Sequence, residues 1–310
     1  MPLVAMPGTH ALGIDLGGSK IEALLVDDRG VERWRRRVPT PPGNYQATLD
    51  ALRSVVAAAH AAAAGAPFTI GIGTPGSLTP AGLLKNANST CLNGQPLQRD
   101  LEAALGAPLR FANDANCLAL SEATDGAGAG ADVVFAVILG TGCGAGIAVH
   151  GRVLTGPNAL AGEWGHNPLP WAVPGEDPWP DCYCGRQGCI ESVLSGPGLA
   201  LDHQRASGQI HSAEQIAAAA LAGDAACRST LDRHASRLAR ALAGVVNLLD
   251  PDVIVLGGGL SHMAHLYTQV PALWSRWVFS AGVDDPVRTR LLPSRHGDAS
   301  GVRGAAWLWR

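Results

Sequence analysis

Cys182, Cys184 and Cys189 fall within eight residues, and His166 stands sixteen positions before the first of them. Thiolates and an imidazole are ligands that zinc takes, and a Cys3His set is the count of a closed, tetrahedral structural site with no position left for water or substrate. Disulfide pairing competes with this reading, but an odd local count of three thiols and the histidine favour a metal. Gly185 and Gly188 would let the chain turn tightly enough for three sulfurs to converge. Carboxylates flank the ligands at both ends, Glu163 before His166 and Glu191 after Cys189. Holding the metal would therefore hold those two side chains, which taken alone read as solvated loop residues.

Two glycine turns could hold an anion. Asp15 ends an apolar run and precedes Gly17-Gly18-Ser19-Lys20; Gly140-Thr141-Gly142-Cys143-Gly144 follows a second run. Backbone N–H groups in such turns can face a phosphate, although an ordinary hairpin turn reads much the same. The first turn is not a P-loop, because the Gly-x-x-x-x-Gly-Lys-Ser/Thr spacing and its helix are missing. Gly71-Ile72-Gly73-Thr74-Pro75-Gly76 matches a dinucleotide fingerprint, but the prolines and glycines after it oppose the required helix. Asn113-Asp114 lies where a strand gives way to a helix, the place at which open α/β sheets bind ligands; a helix N-cap is the commoner use of such an aspartate. Asn86, Asn88 and Asn93 could read hydroxyls from the loop 85–94, though turn-forming asparagine is commoner. Gly257-Gly258-Gly259 offers bare backbone to a flat base or ribose.

The elements that must position these groups are read from apolar runs and turn residues. Strands are expected over 11–16, 21–26, 31–38, 68–73, 109–112, 133–139, 145–149, 152–154 and 252–256. Helices are expected over 43–64, 97–105, 117–127, 212–221, 224–249 and 298–309. Two strand-turn-strand-turn-strand units, one opening each half, point to a duplicated α/β domain. A chain of 310 residues exceeds the usual single core. The expected division is 1–126, joined by a returning helix at about 297–310, and 127–296, with a glycine-alanine stretch at the boundary.

Charged residues make up 16% and the formal net charge is −3, which argues against a nucleic-acid or membrane partner and leaves a small molecule. The first ten residues lack the pattern of a signal peptide and no long apolar span occurs, so a cytoplasmic protein is expected. Among 23 basic residues, only Lys20 and Lys85 are lysines, a hint that they sit where a compact ammonium is wanted, as near phosphate.

Asp15 to Lys20, Asn113 to Asn116, Gly140 to Gly144, Gly162-Glu163-Trp164-Gly165-His166, the cysteine cluster ending in Glu191, and Leu256 to Gly259 occur in the order seen in the ROK family of bacterial sugar kinases and sugar-responsive repressors. The resemblance spans nearly the whole chain. Asn86 to Pro96, Gly165 to Trp171 and Ser300 to Trp307 look most like bacterial fructokinases of the mannofructokinase type, with N-acetylglucosamine kinases as close relatives. What the resemblance implies is an actin-like, ribonuclease-H-like hexokinase fold of two α/β domains with ATP and a hexose in the cleft between them. It makes Asp114 the general base and Asn113, Glu163, His166 and Glu191 sugar ligands, with Gly76 and Asn88 as further candidates. His166, Cys182, Cys184 and Cys189 would hold structural Zn2+, the glycine turns the phosphates, and Asp15 would place Mg2+ through water. Fructose is the expected substrate, giving fructose 6-phosphate, with mannose possible; N-acetylglucosamine and glucose are the alternatives. A homodimer is expected, as relatives are commonly dimers. A ROK repressor is the alternative from another class, but only about ten residues precede Gly13, too few for its DNA-binding domain.

Overall fold

A computed structural model describes residues 10–87, 89–280 and 282–310. The first half builds β1 (His10–Leu16), β2 (Lys20–Val26), β3 (Glu32–Pro39), α1 (Tyr45–Ala62), β4 (Phe68–Thr74), a small hairpin of β5 (Ser77–Leu78) and β6 (Leu84–Lys85), α2 (Leu97–Leu105), β7 (Leu109–Asn113) and α3 (Asp114–Thr124). Its sheet runs β3-β2-β1-β4-β7, antiparallel through the opening meander and parallel from β1 onward. The second half repeats this with β8 (Val133–Leu139), β9 (Cys143–Val149), β10 (Arg152–Val153), β11 (Val253–Gly257) and β12 (Arg290–Pro293), in the order β10-β9-β8-β11-β12. Between and after them lie α4 (Ile190–Leu194), α5 (Gly196–Ser207), α6 (Ala213–Leu221), α7 (Ala225–Leu249), α8 (Leu266–Leu273) and α9 (Ser300–Trp307). The equivalent strand orders fit the duplication read from the sequence.

The central strands are apolar throughout because both faces are covered. In the first sheet, Leu12, Ile14 and Ile72 pack with Leu52 and Val56 of α1 and Leu101 of α2, while Ala11 and Leu24 pack with Val302 and Ala306 of α9 on the other side. In the second, Val137 and Leu256 pack under Leu238 and Leu242 of α7, and Val134, Ala136 and Val255 pack against Leu118 and Ala119 of α3. The arginine-rich β3 is an edge strand, where charge discourages further pairing. Its Arg35 and Arg37 reach the buried Glu22 of β2 at 2.7 and 2.9 Å.

Glycine decides how closely the two sheets' inner helices approach. A Cβ at Gly304 would lie 1.7 Å from the carbonyl oxygen of Cys117, so α9 crosses α3 backbone to backbone. Gly13 and Gly71 would meet carbonyls of α9 at 2.0 and 1.9 Å, which brings that helix down onto β1 and β4. This also accounts for one glycine of the rejected dinucleotide fingerprint; another, Gly76, has φ of 80° and would meet the Lys85 carbonyl at 2.1 Å. After β4 the chain forms a hairpin instead of a helix.

Six of the labelled elements went unread in the sequence: the short β5, β6 and α4, and α5, α8 and β12. α5 begins Gly196-Pro197-Gly198, which looks like a break; the proline occupies its first turn, where no N–H is needed, and Ser195 Oγ accepts the Gly198 N–H at 3.2 Å. α8 carries Pro271 inside it. β12 is a four-residue strand with too little pattern to detect. Because the α3–α9 crossing leaves no room for a methyl group, Gly304→Ala is expected to lower unfolding stability by about 3 kcal/mol, measured by urea denaturation; a change within error would show that the crossing yields.

Candidate functional site

Asn113 and Asp114 divide the labour at the start of α3. Asn113 is the N-cap, its Oδ1 accepting the Asn116 N–H at 2.7 Å, so capping falls to the asparagine and not to Asp114. The helix consequently begins at Asp114, three residues earlier than expected. Asp114 stands in its first turn, with Oδ1 accepting the Ala115 N–H at 2.8 Å, and its side chain lines a cavity of about 580 Å3. Gly76, Asn86, Asn113, Gly140 to Gly144, Glu163, His166, Tyr183 and Glu191 line the same cavity.

The opposite wall is held by two further close approaches. Gly162, with φ of 92°, would put a Cβ 2.2 Å from the Ala145 carbonyl, and Gly165 would put one 1.9 Å from that of Cys143. The short turn Glu163–His166 therefore rests directly on β9. Trp164 turns inward and meets Phe135 of β8 edge-on at 5.9 Å. With Trp164 committed to the core, its neighbours Glu163 and His166 face the cavity.

His166 also meets the cysteines. Its Nδ1 is 3.6 Å from Cys182 Sγ, and Cys184 and Cys189 sulfurs are 3.6 Å apart. All four ligand atoms lie within 4.8 Å of one another. Zinc–sulfur bonds of about 2.3 Å place tetrahedral sulfurs roughly 3.7 Å apart, so this donor set fits zinc in both chemistry and spacing. The other imidazole nitrogen, Nε2, is 3.0 Å from the Tyr183 hydroxyl, the same kind of partner a sugar hydroxyl would be. Glu191, in the first turn of α4, accepts the Cys143 N–H at 2.8 Å with Oε2. One of its oxygens is thus already committed to the second glycine turn.

The long excursion between His166 and Cys182 is anchored elsewhere. Its Glu176 is buried against two arginines of α7: Arg237 Nε at 3.1 Å and Arg240 Nη1 at 2.9 Å. Arg240, fully buried, also donates to the Trp171 carbonyl at 2.6 Å, and the Trp171 ring stacks on Trp277.

Each glycine turn keeps two backbone donors in reserve. In the first, Gly17 N–H is used on the Lys20 carbonyl and Thr40 binds the carbonyls of Gly17 and Ser19, while the N–H groups of Gly18 and Ser19 find no acceptor among the described residues. In the second, Gly140 and Cys143 are engaged, and Thr141 and Gly142 are the corresponding free donors among the described residues. Lys20 is paired with Glu22 at 3.7 Å. The third glycine group divides by role, which corrects the expectation that all three present open backbone. Gly257 is buried, with Leu118 where a side chain would go, and Gly258 has φ of 79° and would meet the Leu139 carbonyl at 2.5 Å. Gly259 alone of the three is exposed, and it lines a second cavity of about 640 Å3 with Leu221, Leu231, Met263 and His265. Asn88 lies outside the described residues, and Asn93 is a loop staple, binding both N–H and carbonyl of Ala87.

Of the three asparagines offered as hydroxyl readers, Asn86 does line the cavity, and its φ of 61° is a turn state that asparagine tolerates, so both readings of it hold. Tyr183 was missed as a cavity residue. Tyr183 is a one-residue spacer between two candidate ligands, which pushes its ring outward; that spacing was the available signal.

The carboxylates are electrostatically linked. Burial pushes Asp15 up to about 6, and the charges of Asp114 and Glu22 push the same way against the opposing pull of Lys20. Desolvation also raises Asp114, with the Ala115 N–H opposing and Glu163 adding to the rise. Solvent still reaches the Asp114 side chain through the cavity mouth, so closure of the walls would strengthen this rise.

The family model of the ROK family matches residues 11–310. The chain belongs to the ROK family. N-acetyl-D-glucosamine kinase of Escherichia coli O139:H28 is 41% identical over 304 residues, 96% of this chain and 98% of that protein. The kinase of the same name from Salmonella paratyphi B is 40% identical over 303 residues, with the same coverage. Among solved structures, the ROK hexokinase from Thermus thermophilus matches with a TM-score of 0.83 at 30% identity, covering 97% of both chains. A ROK family glucokinase from Streptomyces griseus, in complex with glucose and AMPPNP, matches with a TM-score of 0.75 at 29% identity over 96% of this chain and 98% of that one. These ROK neighbours bear out the actin-like two-domain fold. They do not support the fructokinase expectation: the curated relatives are named for N-acetyl-D-glucosamine.

The raised Asp15 carboxyl gives this ROK protein a testable pH dependence. The folded group holds its proton up to about 6, whereas an unfolded aspartate loses it near 4. Asp15 therefore lowers stability progressively as pH rises through that window, and the loss is complete above it. Asp15→Asn should be more stable than the parent at pH 8 by urea denaturation, with the difference shrinking towards pH 4; a pH-independent difference would contradict the coupling.

Proposed function

We propose that this chain is an ATP-dependent sugar kinase of the cytoplasm that phosphorylates a hydroxyl of N-acetyl-D-glucosamine. The observation that carries the reading is the single cavity that brings Asp114, Glu163, His166 and Glu191 together with the Gly140–Gly144 turn. The choice of sugar rests on the relatives' names.

In this reading Asp114 accepts the proton of the attacking hydroxyl. Its upward-shifted carboxyl suits that task, because a base is most useful when its affinity for the proton approaches the working pH. Glu163 and the Nε2 of His166 bind other sugar hydroxyls, with Asn113 supplying its amide Nδ2 since Oδ1 is occupied by the cap. Gly76 shapes the wall and contributes backbone alone. The spare N–H groups of Gly18, Ser19, Thr141 and Gly142 hold phosphate oxygens, and the apolar cavity beside Gly259 takes the base of the nucleotide. Asp15, close enough to Asp114 for their charges to interact, fits a site for water-bound Mg2+. Mg2+ bound with ATP spreads the charge that develops on the transferred phosphoryl group. Zn2+ held by His166, Cys182, Cys184 and Cys189 keeps Glu163, His166 and Glu191 in register. The two lobes, 1–126 with 297–310 and 127–296, would close on the sugar to exclude water as a competing acceptor.

Asp114→Asn keeps the shape of the side chain and removes its basicity, so kcat should fall by about 10²–10⁴-fold or more while sugar affinity changes little. Steady-state kinetics and sugar titration check this together; near-normal turnover would remove Asp114 from the role. A coupled ADP-release assay over N-acetyl-D-glucosamine, glucose, mannose and fructose tests the substrate. The highest kcat/KM is expected for N-acetyl-D-glucosamine, and a preference for fructose would reverse the assignment.

A further inference from the structure

A second group of metal-ligating side chains lies in the helical layer, apart from the Cys3His loop. His203 sits on α5, His211 on the segment leading into α6, and Cys227 in the first turn of α7. Their ligand atoms come within 4.8 Å of one another. Cys227 Sγ is 3.9 Å from both His203 Nε2 and His211 Nδ1, and the two rings lie nearly parallel with centroids 5.1 Å apart.

The surrounding hydrogen bonds fit the His203 tautomer with its proton on Nδ1. Thr230 Oγ1 donates its own hydrogen to the Ala226 carbonyl at 3.0 Å and also receives Arg233 Nη2 at 3.1 Å. With its hydrogen on Ala226, that hydroxyl accepts from His203 Nδ1 at 3.0 Å, which assigns the proton to Nδ1. A neutral His203 then presents the lone pair of Nε2 to Cys227. Ser207 Oγ lies 3.3 Å from Nε2, but the shorter contact, 2.7 Å to the His203 carbonyl, takes its hydrogen. A fully buried imidazole with its Nδ1–H fixed by a neighbouring oxygen and its Nε2 lone pair aimed at a buried sulfur is the arrangement metal-ligating histidines use.

We propose that His203, His211 and Cys227 form a second metal site, for a divalent cation of the zinc class. Two imidazoles and one thiolate are borderline-soft donors that select such ions over calcium or magnesium. Three protein ligands leave a fourth position open, and His211 is half-exposed, so water can complete the coordination. The ion would tie the end of α5 to the start of α7 across the connection into α6. This site is independent of the kinase reading.

The test uses the full-length protein, stripped of metal and titrated with Zn2+, with bound metal counted after gel filtration. The parent should bind one equivalent more than His211→Ala and one more than Cys227→Ser, while Cys184→Ser loses an equivalent from the other site and keeps this one. If the parent binds a single equivalent, its loss in His211→Ala with retention in Cys184→Ser supports the site, and the opposite pattern overturns it. Stoichiometry unchanged in His211→Ala also overturns it. Should Cys227→Ser fail to fold by circular dichroism, His211→Ala decides alone, since its side chain stands at the half-exposed edge.

Discussion

The turn that carries Glu163 and His166 can lie on β9 only because no side chain separates the two backbones. A Cβ at Gly162 or Gly165 would fall within about 2 Å of a β9 carbonyl, and no rotamer change relieves a clash with backbone. The same constraint recurs where Gly146 would meet the Ala115 carbonyl at 2.3 Å, which sets β9 against the start of α3. Asp114 on one side and Glu163 with His166 on the other are therefore both referred to one strand. Side-chain packing alone would leave more play between them.

Glu191 adds the electrostatic part of this arrangement. Its carboxylate takes the Cys143 N–H, and it comes two residues after Cys189, so the Cys3His loop and the second glycine turn share a hydrogen bond. A movement of either is transmitted to the other. Charge-assisted hydrogen bonds of this type are stronger than neutral ones.

Much of the site was legible because its chemistry is local in sequence. Three thiols in eight residues, two glycine turns and an acid after a strand are short-range patterns, and the cavity collects Cys184, the second glycine turn and Asp114 from them. The fold was legible for the same reason, from apolar runs long enough to be buried on both faces. What escaped depended on contacts between distant residues. Asn113 took the cap from Asp114, a choice that side-chain geometry makes and composition does not. Gly257 and Gly258 are glycines because Leu118 and Leu139 stand against them, although in sequence they read as a ligand-binding turn. His203, His211 and Cys227 are spread over some two dozen residues and three elements, so nothing short-range marked them as neighbours. The expectation of fructose leaned on motifs that mostly lie away from the cavity: among the described residues only Asn86, Ala87 and His166 of them line it, and Ser300–Trp307 is the buried α9.

Arg240 gives the Cys3His loop a second, separate foundation. Because Glu176 and the Trp171 carbonyl are bound to α7 without help from any cysteine, the broad middle of the excursion is welded to the helical layer, and an ion held by the Cys3His set would govern just the narrow tip that reaches the cavity. Damage to the thiols, as by oxidation, would then blunt the tip while its base stays seated. Loosening at that point would spare the rest of the excursion, like a tool with a dulled edge and an intact handle.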